Sequence, residues 1–462
     1  MNSDPASTHD DTACAPDAAH IPDMGSPRAL NPVSVLEVDS LLDDPKTRIV
    51  VCCGSGGVGK TTTAAALGLR AAERGRKVVV LTIDPARRLA QSMGIDVLDN
   101  TPRRVKGIED SGGGELHAMM LDMKRTFDEI VEAHADPERA AAILSNPFYQ
   151  SLSAGFAGTQ EYMAMEKLGQ LRARDEWDLI VVDTPPSRSA LDFLDAPKRL
   201  GSFLDGKLIR VLMAPAKVGG RAGMKFLNVG MSMMTGALGK LLGGQLLKDV
   251  QTFVAAMDTM FGGFRTRADA TYKLLQAPGT AFLVVAAPER DALREAAYFV
   301  ERLAAEDMPL AGLVLNRVHD SGAAQLSAER ALAAAENLEE PRIVDQERGK
   351  AGLRNSPDPY DSSDSPSPEE AVSDGGSLTA ANPDRNIEQL TAGLLRLHAE
   401  RMRLLFREQR TRDRFTALHP EVAVAEVGAL PGDVHDLTGL RNIGDRLAAN
   451  RPELPEEYDT HA

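Results

Sequence analysis

The chain is poor in the residues that build disulfide frameworks, thiolate metal sites and aromatic stacking surfaces. Of its 462 residues only three are cysteine and one is tryptophan, and aromatic residues make up 4%. The cysteines are Cys14, Cys52 and Cys53, so neither a disulfide framework nor a zinc-binding spacing is available. This usage favours a reducing, cytoplasmic compartment. The low aromatic content also disfavours the stacking of nucleic-acid bases on aromatic side chains.

Positive charge and long apolar runs are scarce as well. Lys and Arg total 52 against 67 Asp and Glu, and the net charge of −15 argues against nucleic acid as the main partner. The sequence contains no apolar run long enough to span a bilayer, and its first 29 residues lack the apolar segment of a signal peptide. We therefore expect a soluble cytoplasmic protein, and peripheral attachment to a membrane stays open.

The strongest motif is a glycine-rich loop between an apolar strand and a helix. Residues 54–62 read GSGGVGKTT and fit the pattern G-x-x-x-x-G-K-[ST] at every fixed position. Glycines let the backbone turn so that its N–H groups face a phosphate chain, and the helix that follows adds its positive N-terminal end. Lys60 would reach the β- and γ-phosphates, and the Thr61 hydroxyl would ligate Mg²⁺. An ordinary glycine turn before Lys-Thr is the alternative, which the flanking strand and helix disfavour.

Apolar strands alternate with helices along much of the chain, which predicts an α/β fold with a doubly wound, mostly parallel sheet. The predicted strands are 49–53, 77–84, 115–121, 177–183, 281–286, 312–316 and, more weakly, 422–427. The predicted helices include 124–135, a long stretch at 137–174, and 386–414. Ligands of such sheets bind beyond the carboxyl ends of the strands. Lys60, Asp84, Asp183 and Asn316 all lie at such ends, so we expect them to converge.

Composition divides the chain into a nucleotide-binding core, an insertion and polar segments. The predicted core comprises residues 34–197, 276–338 and 386–450. Residues 198–275 are rich in methionine without a strand pattern and predict an inserted α-helical subdomain. Its methionines either fill a helical core or line a pliable groove for a hydrophobic partner. The acidic, Ser/Pro-rich residues 339–385 predict a disordered insert, and residues 1–33 and 451–462 predict disordered tails.

Two aspartates end predicted strands and open loops that contain proline. Asp84 begins the sequence DPAR, and Asp183 begins DTPP. A carboxylate beside a triphosphate can hold Mg²⁺ or orient the attacking water, and two such loops can sense whether a γ-phosphate is bound. Asp-Pro and Thr-Pro-Pro also mark ordinary turns. Their combination with the glycine loop favours the switch interpretation.

Taken together, these motifs resemble the anion-pump ATPase family, which includes the arsenical pump ATPase and the targeting ATPase for tail-anchored membrane proteins. The matching pieces are GGVGKTT at 56–62, DPA at 84–86, DTPP at 183–186, APE at 287–289 and LNR at 315–317. The resemblance implies a P-loop NTPase fold of the deviant Walker A type. It also implies a dimer that closes around ATP and Mg²⁺ and couples hydrolysis to a client.

The resemblance also implies roles for individual residues. The phosphates would be bound by Gly56, Gly57, Val58, Gly59, Lys60 and Thr62. Thr61 would ligate Mg²⁺, and Asp183 would support the ion through a water. Asp84 would position the lytic water, while Asn316 and the loop at Pro431 would contact adenine.

Several departures from the family pattern bear on activity. Ser55 stands where the family usually has a signature lysine that reaches the partner subunit's phosphates, and Arg87, Arg188 and Ser189 replace histidine and Gly-His in the two switches. No cysteine follows Cys53, so the arsenite-binding cysteines and the zinc-clamping Cys-x-x-Cys are absent. Arsenite transport is therefore not expected.

The favoured function is a dimeric, ATP-hydrolysing switch that acts on a hydrophobic client or a membrane complex. The dimer is either a homodimer or a heterodimer with a paralogous chain that keeps the lysine. A nucleotide-bound regulatory subunit with little turnover is the alternative. Region 198–275 argues against a partitioning or septum-site ATPase of the same superfamily, because those proteins are smaller.

Overall fold

The computed structural model describes residues 34–83, 90, 92–95, 98–108, 112–147, 149–150, 159–185, 263, 266–339 and 383–449. Several predictions concern residues outside these ranges, namely both tails, most of the acidic insert and most of the Met-rich region. The residues Asp84, Arg87, Arg188 and Ser189 are likewise outside the described residues.

An eight-stranded sheet organises the described residues. Its strands are β1 (Ile49–Cys53), β2 (Lys77–Thr82), β3 (Arg103–Arg104), β4 (Glu115–Met120), β5 (Leu179–Asp183), β6 (Thr280–Ala286), β7 (Leu310–Val318) and β8 (Val424–Gly428). Their order is β3-β4-β2-β5-β1-β6-β7-β8. Neighbouring strands are parallel except for the short antiparallel pair β3–β4. The predicted mostly parallel sheet is confirmed.

Helices cover both faces of this sheet, which explains why β1, β5 and β6 are buried at every position. In β1 the side chains of Ile49, Val51 and Cys53 enter one hydrophobic core, and those of Val50 and Cys52 enter the other. Because side chains alternate along a strand, one apolar run serves two cores. Doubly wound packing follows, with β1 in the interior of the sheet.

The helices are α1 (Val38–Asp43), α2 (Lys60–Glu73), α3 (Met123–His134), α4 (Pro137–Leu144), α5 (Thr159–Arg174), α6 (Arg290–Ala305), α7 (Ala328–Glu339), α8 (Pro383–Leu418) and α9 (Leu437–Ala449). Residues 266–276 are also helical. Helices α1, α2 and α9 pack mainly on one face, and α3, α4, α5, α6 and the end of α8 pack on the other. No helix within the described ranges is both long enough and apolar enough to cross a bilayer.

The single long helix predicted over 137–174 is wrong at Ser145. Helix α4 ends at Leu144, and α5 begins at Thr159. The chain stops the first helix at the dipeptide Asn146-Pro147, where proline disfavours helical geometry in the residue before it. The predicted elements also omit β3, α6, α7 and α9, and several strand ends differ by one or two residues.

Candidate functional site

The glycine loop joins β1 to α2 at the carboxyl edge of the sheet. Gly54 follows β1 directly, and a Cβ atom there would lie 2.1 Å from the carbonyl oxygen of Val285 in the neighbouring strand β6. Gly59 has a φ of 94°, and a Cβ atom there would lie 2.2 Å from Nδ2 of Asn316. Both positions therefore require glycine. Gly57 also has a positive φ, and a Cβ atom there would meet nothing within 4 Å, so the space beside it is open.

Helix α2 begins without a side-chain cap. Its N-cap residue is Gly59, which has no side chain to accept from the first turn, and the first intrahelical bond runs from Thr63 N to Gly59 O over 2.9 Å. The amides of Thr61 and Thr62 therefore point beyond the helix end, where the helix dipole is positive. Asp122 and Asp136 cap α3 and α4 instead. An anion fits the end of α2 in place of a carboxylate cap.

Lys60 is buried at the base of the loop, with 5% of its surface exposed. Its Nζ donates a hydrogen bond to the carbonyl oxygen of Ser55 over 2.7 Å, so the side chain curves back across the loop that precedes it. Ser55 contributes its backbone here, not its side chain. The arrangement holds a positive charge against the backbone of the glycine loop, as phosphate binding requires.

Asp183 is fully buried at the end of β5. It lies beside Cys52 of β1 in the strand register, and the Thr82 hydroxyl of β2 donates to its Oδ2 over 2.9 Å. The hydroxyl of Thr184, the residue after Asp183, donates a hydrogen bond to the carbonyl oxygen of Cys52 over 2.9 Å. The carboxyl ends of β1, β2 and β5 are thereby tied together around one carboxylate.

Burial and nearby charges shift the pKa values of the two buried thiols, Cys52 and Cys53. Burial raises the pKa of Cys53 to about 12, with the Lys60 ammonium acting in the opposite direction. Burial also raises the pKa of the Cys52 thiol well above its usual value, the Asp183 carboxylate adds to that rise, and Lys60 opposes it. Lys60 and Asp183 therefore act on the pKa of Cys52 in opposite directions.

Asn316 lies at the end of β7 and contacts the glycine loop. Its Nδ2 donates to the carbonyl oxygen of Val58 over 2.8 Å, and its Oδ1 accepts from the amide of Arg317 over 3.0 Å. Arg317 has a φ of 62°, and the pairing of β7 with β8 shifts register at this point. The sequence places Asn316 at a strand end but gives no sign of its bond to Val58, which is 258 positions away.

Two further residues of the predicted site are Asp84 and Pro431. Asp84 is outside the described residues. Strand β2 ends at Thr82, and the carbonyl oxygen of the next residue, Ile83, accepts from Nε2 of Gln160 over 2.9 Å. Pro431 is exposed in the loop after β8, three strands along from β1. The structure brings Lys60, Asp183 and Asn316 to the carboxyl edge of the sheet.

The residues present fit a magnesium nucleotide. Thr61 and Thr62 are partly exposed at the uncapped end of α2, and Gly56 and Gly57 are exposed above Lys60. Among the described residues no group of three or more His, Cys, Asp or Glu side chains could hold a metal ion. Mg²⁺ bound mainly by phosphates and water needs no such group, because one or two protein ligands are sufficient.

Comparisons with known proteins identify the family and several relatives. A family model described as Anion-transporting ATPase matches residues 47–342. The chain is 29% identical to ATPase GET3 of Malassezia globosa over 167 residues, which span 36% of the chain and 47% of that protein, so this match covers about half of the relative's length. It is 26% identical to ATPase GET3 of Podospora anserina, over 61% of the chain and 76% of the relative.

A further relative is ATPase get3 of Botryotinia fuckeliana, which is 26% identical over 68% of the chain and 90% of its own length. The family model covers more than half of the chain and includes the glycine loop, Asp183 and Asn316. The family is one of ATPases, which confirms the predicted enzyme class. The chain belongs to the anion-transporting ATPase family.

Proposed function

We propose that this chain binds Mg–ATP in the glycine loop and hydrolyses it as a dimeric switch. One observation carries the proposal: the buried Lys60 lies inside the loop at the same edge as the Thr82–Asp183 pair. A buried ammonium beneath uncapped amides favours a polyphosphate, and a buried carboxylate at the next strand end suits a magnesium-bound water.

Each side chain has a distinct proposed role. Lys60 would exchange the Ser55 carbonyl for phosphate oxygens, and the Thr61 hydroxyl would be a direct ligand of the metal. Asp183, fixed by Thr82, would support the metal through a water, and Asp84 would orient the attacking water. Mg–ATP supplies the phosphoryl group and the metal that neutralises charge developing on it. Asn316 keeps the loop in its binding conformation.

The binding step is tested by Lys60→Ala. We expect Mg–ATP affinity to fall roughly a hundredfold, because hydrogen bonds to charged groups contribute about 1.5–3 kcal/mol each. Isothermal titration calorimetry measures this, with the exposed Lys46 changed to alanine as a matched control. Unchanged affinity in Lys60→Ala would contradict the proposed site.

Hydrolysis is tested separately by Asp183→Asn. The amide keeps the size of the side chain but removes its charge, so we expect phosphate release to fall by more than Mg–ATP affinity does. The alternative, a regulatory subunit with little turnover, is favoured by Ser55, which cannot deliver a cation across a dimer. It predicts tight ATP binding and no phosphate release by the wild-type chain, even with its partners present.

The partner of the switch is proposed from the family. The relatives are named ATPase GET3, which agrees with the targeting branch of the family and with a hydrophobic client or membrane complex. Homodimer and heterodimer differ in a measurable way. Full ATPase activity of the purified chain alone would exclude a heterodimer that needs a paralogue's lysine, and identification of the chains that co-purify with it would reveal the client.

A further inference from the structure

Residues 316–320, which we call the β7 end segment, connect the nucleotide edge of the sheet to helix α8. The segment begins at Asn316, whose Nδ2 donates to the carbonyl oxygen of Val58 in the glycine loop over 2.8 Å. It ends at His319 and Asp320, which both accept or donate hydrogen bonds to side chains of α8. Because three residues separate Asn316 from His319, a contact at one end of the segment can affect the other.

The backbone inside the β7 end segment has a conformation that needs support. Arg317 has a φ of 62°, in the left-handed region that residues with a Cβ atom rarely adopt. The pairing of β7 with β8 shifts register between Asn316 and Val318, on either side of Arg317. Such a backbone persists where the surrounding contacts hold it. The contacts on both sides of Arg317 therefore decide whether the segment keeps its shape.

Glu408 of α8 holds the far end of the segment through two hydrogen bonds. Glu408 is 8% exposed, and its Oε2 accepts from the backbone amide of His319 over 3.2 Å. Its Oε1 lies 2.6 Å from Nδ1 of the His319 ring, and because a carboxylate can only accept, we assign the ring hydrogen to Nδ1. One buried carboxylate thus fixes both the main chain and the side chain of His319.

Helix α8 is itself held in place on both sides of Glu408. Nε of Arg401 donates to the carbonyl oxygen of Asp320 over 2.7 Å. Nη1 of Arg412 lies 2.7 Å from Oε1 of Glu426 in the neighbouring strand β8. The position of the Glu408 carboxylate is therefore set by the helix and not by the segment that it holds.

The near end of the segment fits closely against the glycine loop. A Cβ atom at Gly59 would lie 2.2 Å from Nδ2 of Asn316, so the amide packs directly on the loop backbone. Oδ1 of Asn316 accepts from the amide of Arg317 over 3.0 Å, which ties the orientation of the side chain to the residue with positive φ. A change in the backbone of Arg317 would therefore move Nδ2 away from Val58.

We propose that Glu408 is a positioning residue of the nucleotide site, which acts through His319 and Asn316 on the glycine loop. By holding His319 it keeps Arg317 in its left-handed conformation and the Asn316 amide on the Val58 carbonyl. The effect on nucleotide rests on the proposed binding of Mg–ATP in the loop, whereas the effect on the loop itself does not. Because coupling is reciprocal, a displacement of α8 lowers Mg–ATP affinity, and bound Mg–ATP opposes that displacement.

Hydrogen exchange of the nucleotide-free full chain tests the coupling without ATP. We expect the amides of residues 54–63 to exchange about three- to fivefold faster in Glu408→Ala, because the loop loses support. The matched control Glu400→Ala removes an exposed glutamate from the same helix and should leave this exchange unchanged. In an Asn316→Ala background Glu408→Ala should add nothing, because the residue through which it acts is gone. A purely structural role in α8 predicts the same added effect in both backgrounds.

Calorimetry with Mg–ATP gives a second measurement. We expect the dissociation constant to rise about three- to fivefold in Glu408→Ala, and less than about twofold when the same change is made in the Asn316→Ala background. His319→Asn keeps a side-chain donor for the carboxylate, so it should retain more affinity than His319→Ala does. Circular dichroism of each variant establishes that it is folded.

Unchanged exchange of the loop in Glu408→Ala would overturn the proposal, and so would equal effects with and without the Asn316 side chain. Faster exchange in a chain that does not bind Mg–ATP would support the positioning role and contradict the proposed function. Normal Mg–ATP binding by the wild type, together with unchanged loop exchange in Glu408→Ala, would contradict the positioning role and leave the proposed function standing.

Discussion

The side chain of Asn316 joins the end of β7 to the glycine loop through its bond to the carbonyl oxygen of Val58. We expect Asn316→Ala to lower Mg–ATP affinity about five- to tenfold, the equivalent of one neutral hydrogen bond near 1 kcal/mol. The reason is that the loop loses the contact that fixes its conformation. Calorimetry with Mg–ATP measures the change.

The same variant distinguishes loop support from the adenine contact that the family resemblance implies for Asn316. Inorganic triphosphate has no base, so a shared loss for ATP and triphosphate indicates support of the loop. A loss confined to ATP would contradict that role and would favour adenine recognition.

At the scale of residues, local sequence motifs predict only part of the candidate site. Lys60 and Thr61 belong to a motif of eight consecutive residues, 54–61, and the motif itself predicts the turn and the helix start. The bond from Asn316 to Val58 and that from Thr82 to Asp183 join distant parts of the chain. Only the packing of the sheet brings those residues together, so no local sequence pattern predicts either hydrogen bond.

At the scale of elements, α5 is tied to the helix at 266–276 by a partly buried ion pair. Nε of Arg267 lies 2.8 and 3.0 Å from the two carboxylate oxygens of Glu166, and the side chain of Glu166 is 3% exposed. The Tyr162 hydroxyl donates to the same carboxylate over 3.1 Å. Helix α5 also carries Gln160, which binds the strand end before Asp84. One helix thus touches both the nucleotide edge and the end of the Met-rich region.

We expect Glu166→Gln to lower the free energy of unfolding by about 2 kcal/mol, because it weakens charged hydrogen bonds in a buried place. Urea denaturation measures the change, and a cycle with Arg267→Met isolates the pair. The exposed carboxylate of Asp175, which accepts from Arg172 and Arg48, is the control, since Asp175→Asn should lower the free energy of unfolding far less than Glu166→Gln does. Equal decreases in the free energy of unfolding at the two sites would contradict the larger contribution expected of Glu166.

Element boundaries show which physical signals the sequence carries. The central strands are predictable because burial on both faces requires continuous apolar runs. The dipeptide Asn146-Pro147 indicates the end of α4 in the sequence. The predicted helix runs through it because the residues on both sides have a helical composition, which dominates when the whole segment is considered. Helix α6 is amphipathic and helix α7 is rich in alanine. Both are indicated by the periodic spacing of their residues, and individual turn or cap residues do not reveal them.

At the scale of the whole molecule, acid should destabilise the fold in two separate ranges of pH. Burial lowers the pKa of His117 below its usual 6.5, with Glu115 opposing, and the ring packs edge-on against Trp177. Hydrogen bonding to Arg70 lowers the pKa of Asp39 below its usual 3.8. In both cases the unfolded chain binds a proton more readily than the folded one, so the free energy of unfolding falls as the pH falls.

The two ranges follow from the unfolded-state values. The contribution of His117 is fully present above about pH 6.5 and is lost as the pH falls towards its folded pKa, whereas that of Asp39 is lost only below about pH 4. Urea denaturation across this range should show two declines, and His117→Gln should remove the upper one and leave the lower. The net charge of −15 acts in the opposite direction, because protonation relieves repulsion among acidic groups. A free energy of unfolding that rises on acidification from neutral pH would mean that this repulsion outweighs the contribution of the half-buried His117.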